Sequence, residues 1–76
     1  MKPADTIRAL AAHAGMTMHE VSRSCGRSDS WAKGVAGRDG VALATVAAVA
    51  DVAGCDVVIM DRETGERLGV VEPPER

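Results

Sequence analysis

Seventy-six residues with 46% apolar content and one aromatic side chain, Trp31, make a single small domain and argue against a sandwich of aromatic-rich strands. Cys25 and Cys55 form no CxxC pair, and neither they nor His13 and His19 have the spacing of a zinc site, so no metal or cofactor is expected. Residues 42–53 are too few to reach the roughly 18 of a membrane span and include Asp51. With no basic stretch leading into an apolar run at the start, the expectation is a soluble cytoplasmic protein with no membrane partner.

The net charge of −2 is unevenly spread. Residues 1–40 carry six Lys or Arg against four Asp or Glu, whereas 41–76 carry three against seven. A basic face in the first part could meet phosphates while the acidic remainder points away.

In chain order, Pro3 suits a first helical turn, and Asp5 favours its positive end. Ile7, Leu10, Ala11 and Ala14 then fall on one face of a helix that Gly15 ends. Thr17 followed by Glu20 is a capping box, which starts a second helix at about Met18. Met18, Val21, Ser22 and Cys25 share one side of it, and Gly26 closes it after only eight helical residues.

Ser28 is the next good N-cap, with Asp29 in the first turn of a third helix running through Trp31, Ala32, Val35 and Ala36 to Gly37. Gly34 inside it costs about 1 kcal/mol relative to Ala, so the position either tolerates that loss or needs a close approach by another surface. After the polar turn Arg38–Asp39–Gly40, a fourth helix carries Leu43, Val46, Ala47, Val49, Ala50 and Ala53 up to Gly54. It has no strong cap, since Ala42 stands at its start, and its apolar residues go nearly all the way round, so it should be central and largely buried.

The pattern then turns extended. Val57–Met60 and Leu68–Val71 are β-favouring runs separated by RETGE, with Thr64 and Gly65 marking a hairpin turn. Pro73 and Pro74 stop the second run. The expected organisation is a helical domain over 1–54, a hairpin over 55–72 and a frayed tail over 73–76, an α+β fold of four to five helices followed by a β-hairpin.

Two short capped helices joined by a three- or four-residue turn at a glycine have the layout of a DNA-binding helix-turn-helix, whose second helix enters the major groove. The stretch TMHEVSRSCGRSDSWAKGVAG resembles the helix-turn-helix of lambda-repressor and Cro-like regulators, and LATVAAVADVAGCDVVI resembles the fourth helix and following strand of short prophage and antitoxin members. The resemblance covers roughly Ala4 to Met60, with Thr17, Glu20, Val21, Gly26, Ser28, Val35, Leu43, Thr45, Val46 and Gly54 as its landmarks.

It implies a DNA-binding set of Thr17, Met18, Arg27, Ser28, Asp29, Ser30, Lys33, Gly34 and Arg38. Met18 takes a phosphate-contact place often held by Gln and offers only its backbone N–H. Gly34 supplies no side chain where a polar one is common. Ser28 is read as a cap before a base contact. Asp29 either stabilises the helix start or accepts from a cytosine amino group. Ser30 and Lys33 are the favoured base or backbone contacts, with Arg27 and Arg38 as phosphate clamps. Trp31 either packs beside Val35 or lies on the sugar–phosphate backbone.

A single short recognition helix reads few base pairs, so the resemblance also implies a homodimer on a two-fold operator. The hairpin is the natural dimer element, unless it only covers its own core. The expected function is therefore a sequence-specific transcriptional regulator of prophage-repressor or antitoxin type, bound to double-stranded DNA and in the second case also to a toxin protein. The alternative is a protein-interaction module that keeps the helical scaffold without DNA. No nucleophile, carboxylate pair or phosphate loop suggests an enzyme.

Overall fold

A 3-10 turn at Pro3–Asp5 leads into α1 (Thr6–Ala14), followed by α2 (Met18–Ser24), α3 (Trp31–Val35) and α4 (Leu43–Val52). Strands β1 (Val57–Met60) and β2 (Arg67–Val71) close the chain as one antiparallel hairpin. The computed structural model describes residues 1–74, so Glu75 and Arg76 of the expected frayed tail lie outside the described residues. Four helices followed by a hairpin is the α+β layout that the residue pattern predicts.

Local chemistry accounts for where most helices begin and end. Ahead of α1, Pro3 sits in the 3-10 turn rather than in the helix itself, and Thr6 Oγ1 donates to the Pro3 carbonyl at 2.8 Å. α1 ends where Gly15 takes φ 67°, which lets the Met16 N–H reach back to the Ala11 carbonyl at 2.9 Å. α2 opens with the full capping box: Thr17 Oγ1 accepts from the Glu20 N–H at 3.1 Å, and Glu20 Oε1 accepts from the Thr17 N–H at 3.0 Å.

α3 departs from expectation. It begins at Trp31, not just after Ser28, and neither Ser28 nor the N-cap residue Ser30 caps it with a side chain. The Ser28 carbonyl instead takes the Trp31 N–H at 3.0 Å, so residues 28–31 form a turn ahead of the helix. Asp29 consequently lies outside the first helical turn, and 25–30 connect α2 to α3, longer than the three- or four-residue turn expected.

The core is a cluster of Ile7, Ala11, Val21, Ala32, Ala36 and Val49, drawn from all four helices and the residue after α3. Leu10, Met16, Met18, Cys25, Trp31, Val35 and Val41 pack round it, half-buried. Alanine at the crossing points lets the helices approach closely, which is how a chain with one aromatic residue fills its interior.

α4 is less central than its composition suggests. Ala47, Val49 and Ala50 are buried, but Leu43 is 53% exposed and Ala44 is exposed as well. Cover begins at Thr45 and Val46, which are half-buried, so exposure is concentrated at the start of the helix.

In the hairpin, Val57 pairs with Val71, Val58 with Val70, Ile59 with Gly69 and Met60 with Arg67, and the skipped Leu68 marks a bulge. Its turn is organised by Asp61, whose Oδ1 accepts from the Glu63 and Thr64 N–H groups at 2.9 Å each. Val57 and Val58, on the strand that contacts α4, and Val71 are half-buried, whereas Ile59, Met60, Leu68 and Val70 are exposed. The molecule measures 40 × 24 × 22 Å.

Candidate functional site

The α2–α3 unit is held by one buried hydroxyl. Ser22 is fully buried, donates to the Met18 carbonyl at 2.9 Å and accepts from the Ala32 N–H at 2.8 Å. The first N–H groups of a helix have no partner within it. Ser22 therefore caps α3 from the neighbouring helix, in the role that sequence assigned to Ser28. A small Ser on the apolar face of α2 signals only close packing; the hydrogen bond depends on how α3 crosses it.

Gly26 completes the unit. Its φ of 71° turns the chain out of α2, and the Arg27 N–H returns to the Ser22 carbonyl at 2.9 Å. The backbone and the side chain of Ser22 thus fix both the exit from α2 and the entry to α3.

On the outer side, Thr17, Arg27, Ser28, Asp29, Ser30, Lys33, Gly34 and Arg38 are all exposed, and Met18 alone of the expected set is half-buried against the core. Within α3 the division is clean, with Ala32 inward and Lys33 and Gly34 outward. A Cβ built at Gly34 meets nothing within 4 Å, so no packing among the described residues requires glycine there.

Two contacts tie these side chains to their neighbours. The Arg27 guanidinium lies 5.5 Å from the centroid of the Trp31 ring, a cation–π arrangement that spans the connection into α3. Asp29 Oδ2 is 3.5 Å from His19 Nε2, both side chains being well exposed. Sequence reasoning did not pair His19 with Asp29, because the partners lie on different elements. Trp31 is half-buried and packs on the core cluster, beside which Val35 also sits.

At the start of α2 a carboxylate is already in place. The Thr17 N–H, ahead of the Thr17 hydroxyl and His19, holds the Glu20 carboxyl below the ordinary carboxylate range. Glu20 is thus ionised at neutral pH, and a phosphate approaching the Met18 N–H meets its charge.

Among the described residues no group of three or more His, Cys, Asp or Glu side chains could hold a metal ion, and no helix is long and apolar enough to cross a membrane. No family model, curated protein or solved structure matches the chain.

Proposed function

We propose that the chain is a sequence-specific DNA-binding regulator of the lambda-repressor-like kind, presenting α3 to the major groove and acting as a homodimer through its hairpin. The observation that carries this reading is the α2–α3 unit: a short helix locked onto its neighbour by Ser22, with Ser30 and Lys33 exposed and Arg27 and Arg38 flanking it. A helix held rigidly by its buried side and polar on its free side suits base reading, because side chains on a rigid element enter the groove in fixed positions. The basic balance of residues 1–40 agrees with it.

Within the proposed set, Ser30 and Lys33 face the bases or their adjacent phosphates, and Arg27 and Arg38 hold the backbone on either side. Asp29 Oδ2 lies 3.5 Å from His19 Nε2, so its carboxylate is directed towards α2. The hairpin supports pairing of two copies, because it exposes Ile59, Met60, Leu68 and Val70 in a segment whose strand edges are both open.

A gel shift with DNA from upstream of the protein's own reading frame tests the reading. A complex that weakens steeply with salt is expected, and Lys33→Ala and Ser30→Ala should weaken it further. Absence of any complex at low ionic strength would remove the proposal. Sedimentation at micromolar concentration tests the dimer: the wild type should have twice the monomer mass and Leu68→Glu/Val70→Glu the monomer mass. A monomeric wild type removes the dimer.

The same exposed residues favour a second reading, in which the acidic, apolar-tipped hairpin docks a protein partner such as a toxin and the helical body is only scaffold. It predicts a partner that stays bound after nuclease treatment.

A further inference from the structure

Between the α2–α3 connection, residues 44–48 of α4 and Pro73–Pro74 lies a cleft of about 490 Å³, within the roughly 300–1,000 Å³ range of small-ligand sites. We propose that this cleft binds a small flat aromatic carboxylate, held by Arg27 at one end and by Trp31, Ala44 and Ala48 along its body. The binding itself is independent of the DNA reading.

Three features set the ligand's chemistry. The first is charge: Arg27 is the one ionisable cation among the described lining residues, none of which is acidic. Among the described lining residues nothing neutralises the Arg27 charge, and its planar fork suits the two oxygens of a carboxylate.

Shape is the second. Ala44 and Ala48 lie one turn apart on α4 and have no side-chain atoms beyond Cβ, which leaves a shallow floor for a flat body. The third is Trp31, the chain's sole aromatic side chain, which lines the same cleft, half-buried, with the Arg27 guanidinium 5.5 Å from its ring centroid. An aromatic ring beside Trp31 can stack offset or edge-on next to the guanidinium, and Thr45 also lines the cleft with its hydroxyl as a hydrogen-bonding group.

The consequence for regulation rests on the DNA reading. Arg27 belongs to both the cleft and the proposed phosphate contacts, so a bound carboxylate withdraws it from DNA. The ligand would act as an inducer that competes for one arginine, with no rearrangement of the fold.

NMR titration of the full chain without DNA, using 1-naphthoate as the probe and neutral 1-naphthalenemethanol as its control, tests the site. Naphthoate should give saturable shifts confined to the Trp31 indole and the Arg27, Thr45 and Ala48 amides. The alcohol, and naphthoate on Arg27→Gln, should bind about tenfold more weakly, since a charge-assisted contact is lost. Shifts that rise without saturating, that centre on Ile59 and Leu68 of the hairpin, or that are as large for the alcohol would overturn the site. In a second arm naphthoate should weaken the DNA complex of the wild type and leave that of Arg27→Gln unchanged. Equal effects on both remove the coupling, whereas failure of any DNA complex to form removes the DNA reading and leaves the site to the NMR result.

Discussion

The helical body and the hairpin are made from the same kinds of residue and treat them in opposite ways. In the body, Ile7, Val21 and Val49 are each no more than 1% exposed and meet one another across alanines. In the hairpin, Ile59 is 47% exposed and Leu68 is 65% exposed, with no element of the described residues over them. Apolar content alone thus says little about where a core lies. Helices joined by short connections fold back on one another, whereas a two-stranded sheet at the end of a chain has two faces and too little protein to cover both.

The largest test of this contrast pairs one residue from each region. Ile7→Ala should cost about 2–5 kcal/mol, because it empties a fully enclosed site at the meeting of the helices. For a chain whose total stability is roughly 4–11 kcal/mol, that threatens folding at ambient temperature. Leu68→Ala should stay within about 0.5 kcal/mol in the isolated monomer. Urea denaturation at low protein concentration measures both, and a large loss at Leu68 would show that the hairpin is covered by its own chain.

Next in size is Ser22→Ala, which should cost about 1–3 kcal/mol by leaving the buried Ala32 N–H without an acceptor. Its consequence should be localised. Amide exchange at Ala32 and Lys33 should accelerate more than exchange in α1, since α3 loses the Ser22 side-chain cap while the rest of the core is intact. Uniform acceleration would mean that Ser22 matters to the core as a whole and not to α3 in particular.

The two regions also differ in how far they could be read from sequence. The capping box at Thr17, the glycine ends at Gly15 and Gly26 and the turn at Gly65 depend on residues within a few positions of one another, and they stand where the pattern puts them. The hairpin was legible for the same reason, down to β1 at Val57–Met60, although the bulge at Leu68 was not. The start of α3 misled because Ser28 is a good local cap and the actual acceptor, Ser22, is ten residues away in sequence. The burial of α4 misled likewise: periodicity identifies an apolar helix but not whether its neighbours are long enough to cover its first turn. For the proposed site, residue type marked which side chains are free, whereas the His19–Asp29 and Arg27–Trp31 contacts emerge only when the elements come together.

Gly34→Ala sharpens the contrast between a face packed by protein and one left open for a ligand. With helical φ and nothing within 4 Å of a built Cβ, the substitution should stabilise the chain by about 1 kcal/mol, and thermal unfolding measures it. If DNA approaches α3 closely at this point, the same methyl group should weaken binding while raising stability. A variant that is more stable and binds equally well would place Gly34 outside the contact surface.

The smallest expected effect is with acid, and it acts on one carboxylate in each region. The backbone N–H of Thr17 holds Glu20 below the ordinary carboxylate range, and the backbone N–H groups of Thr64 and then Glu63 do the same for Asp61. A folded-state pKa lowered in this way means that the unfolded chain binds the proton more tightly. Each group's contribution is therefore fully present above the ordinary range and is lost as pH falls through the folded value. Both side chains are exposed, so water and salt weaken the effect. Urea midpoints measured from neutral pH down to about pH 3 should fall less steeply for Glu20→Gln and for Asp61→Asn than for the wild type. If the hairpin turn is independent of the helical body, the Asp61→Asn difference should appear in local amide exchange around Glu63 and Thr64 and hardly at all in global unfolding. Glu20→Gln should register in both, because the start of α2 belongs to the unit that carries the core.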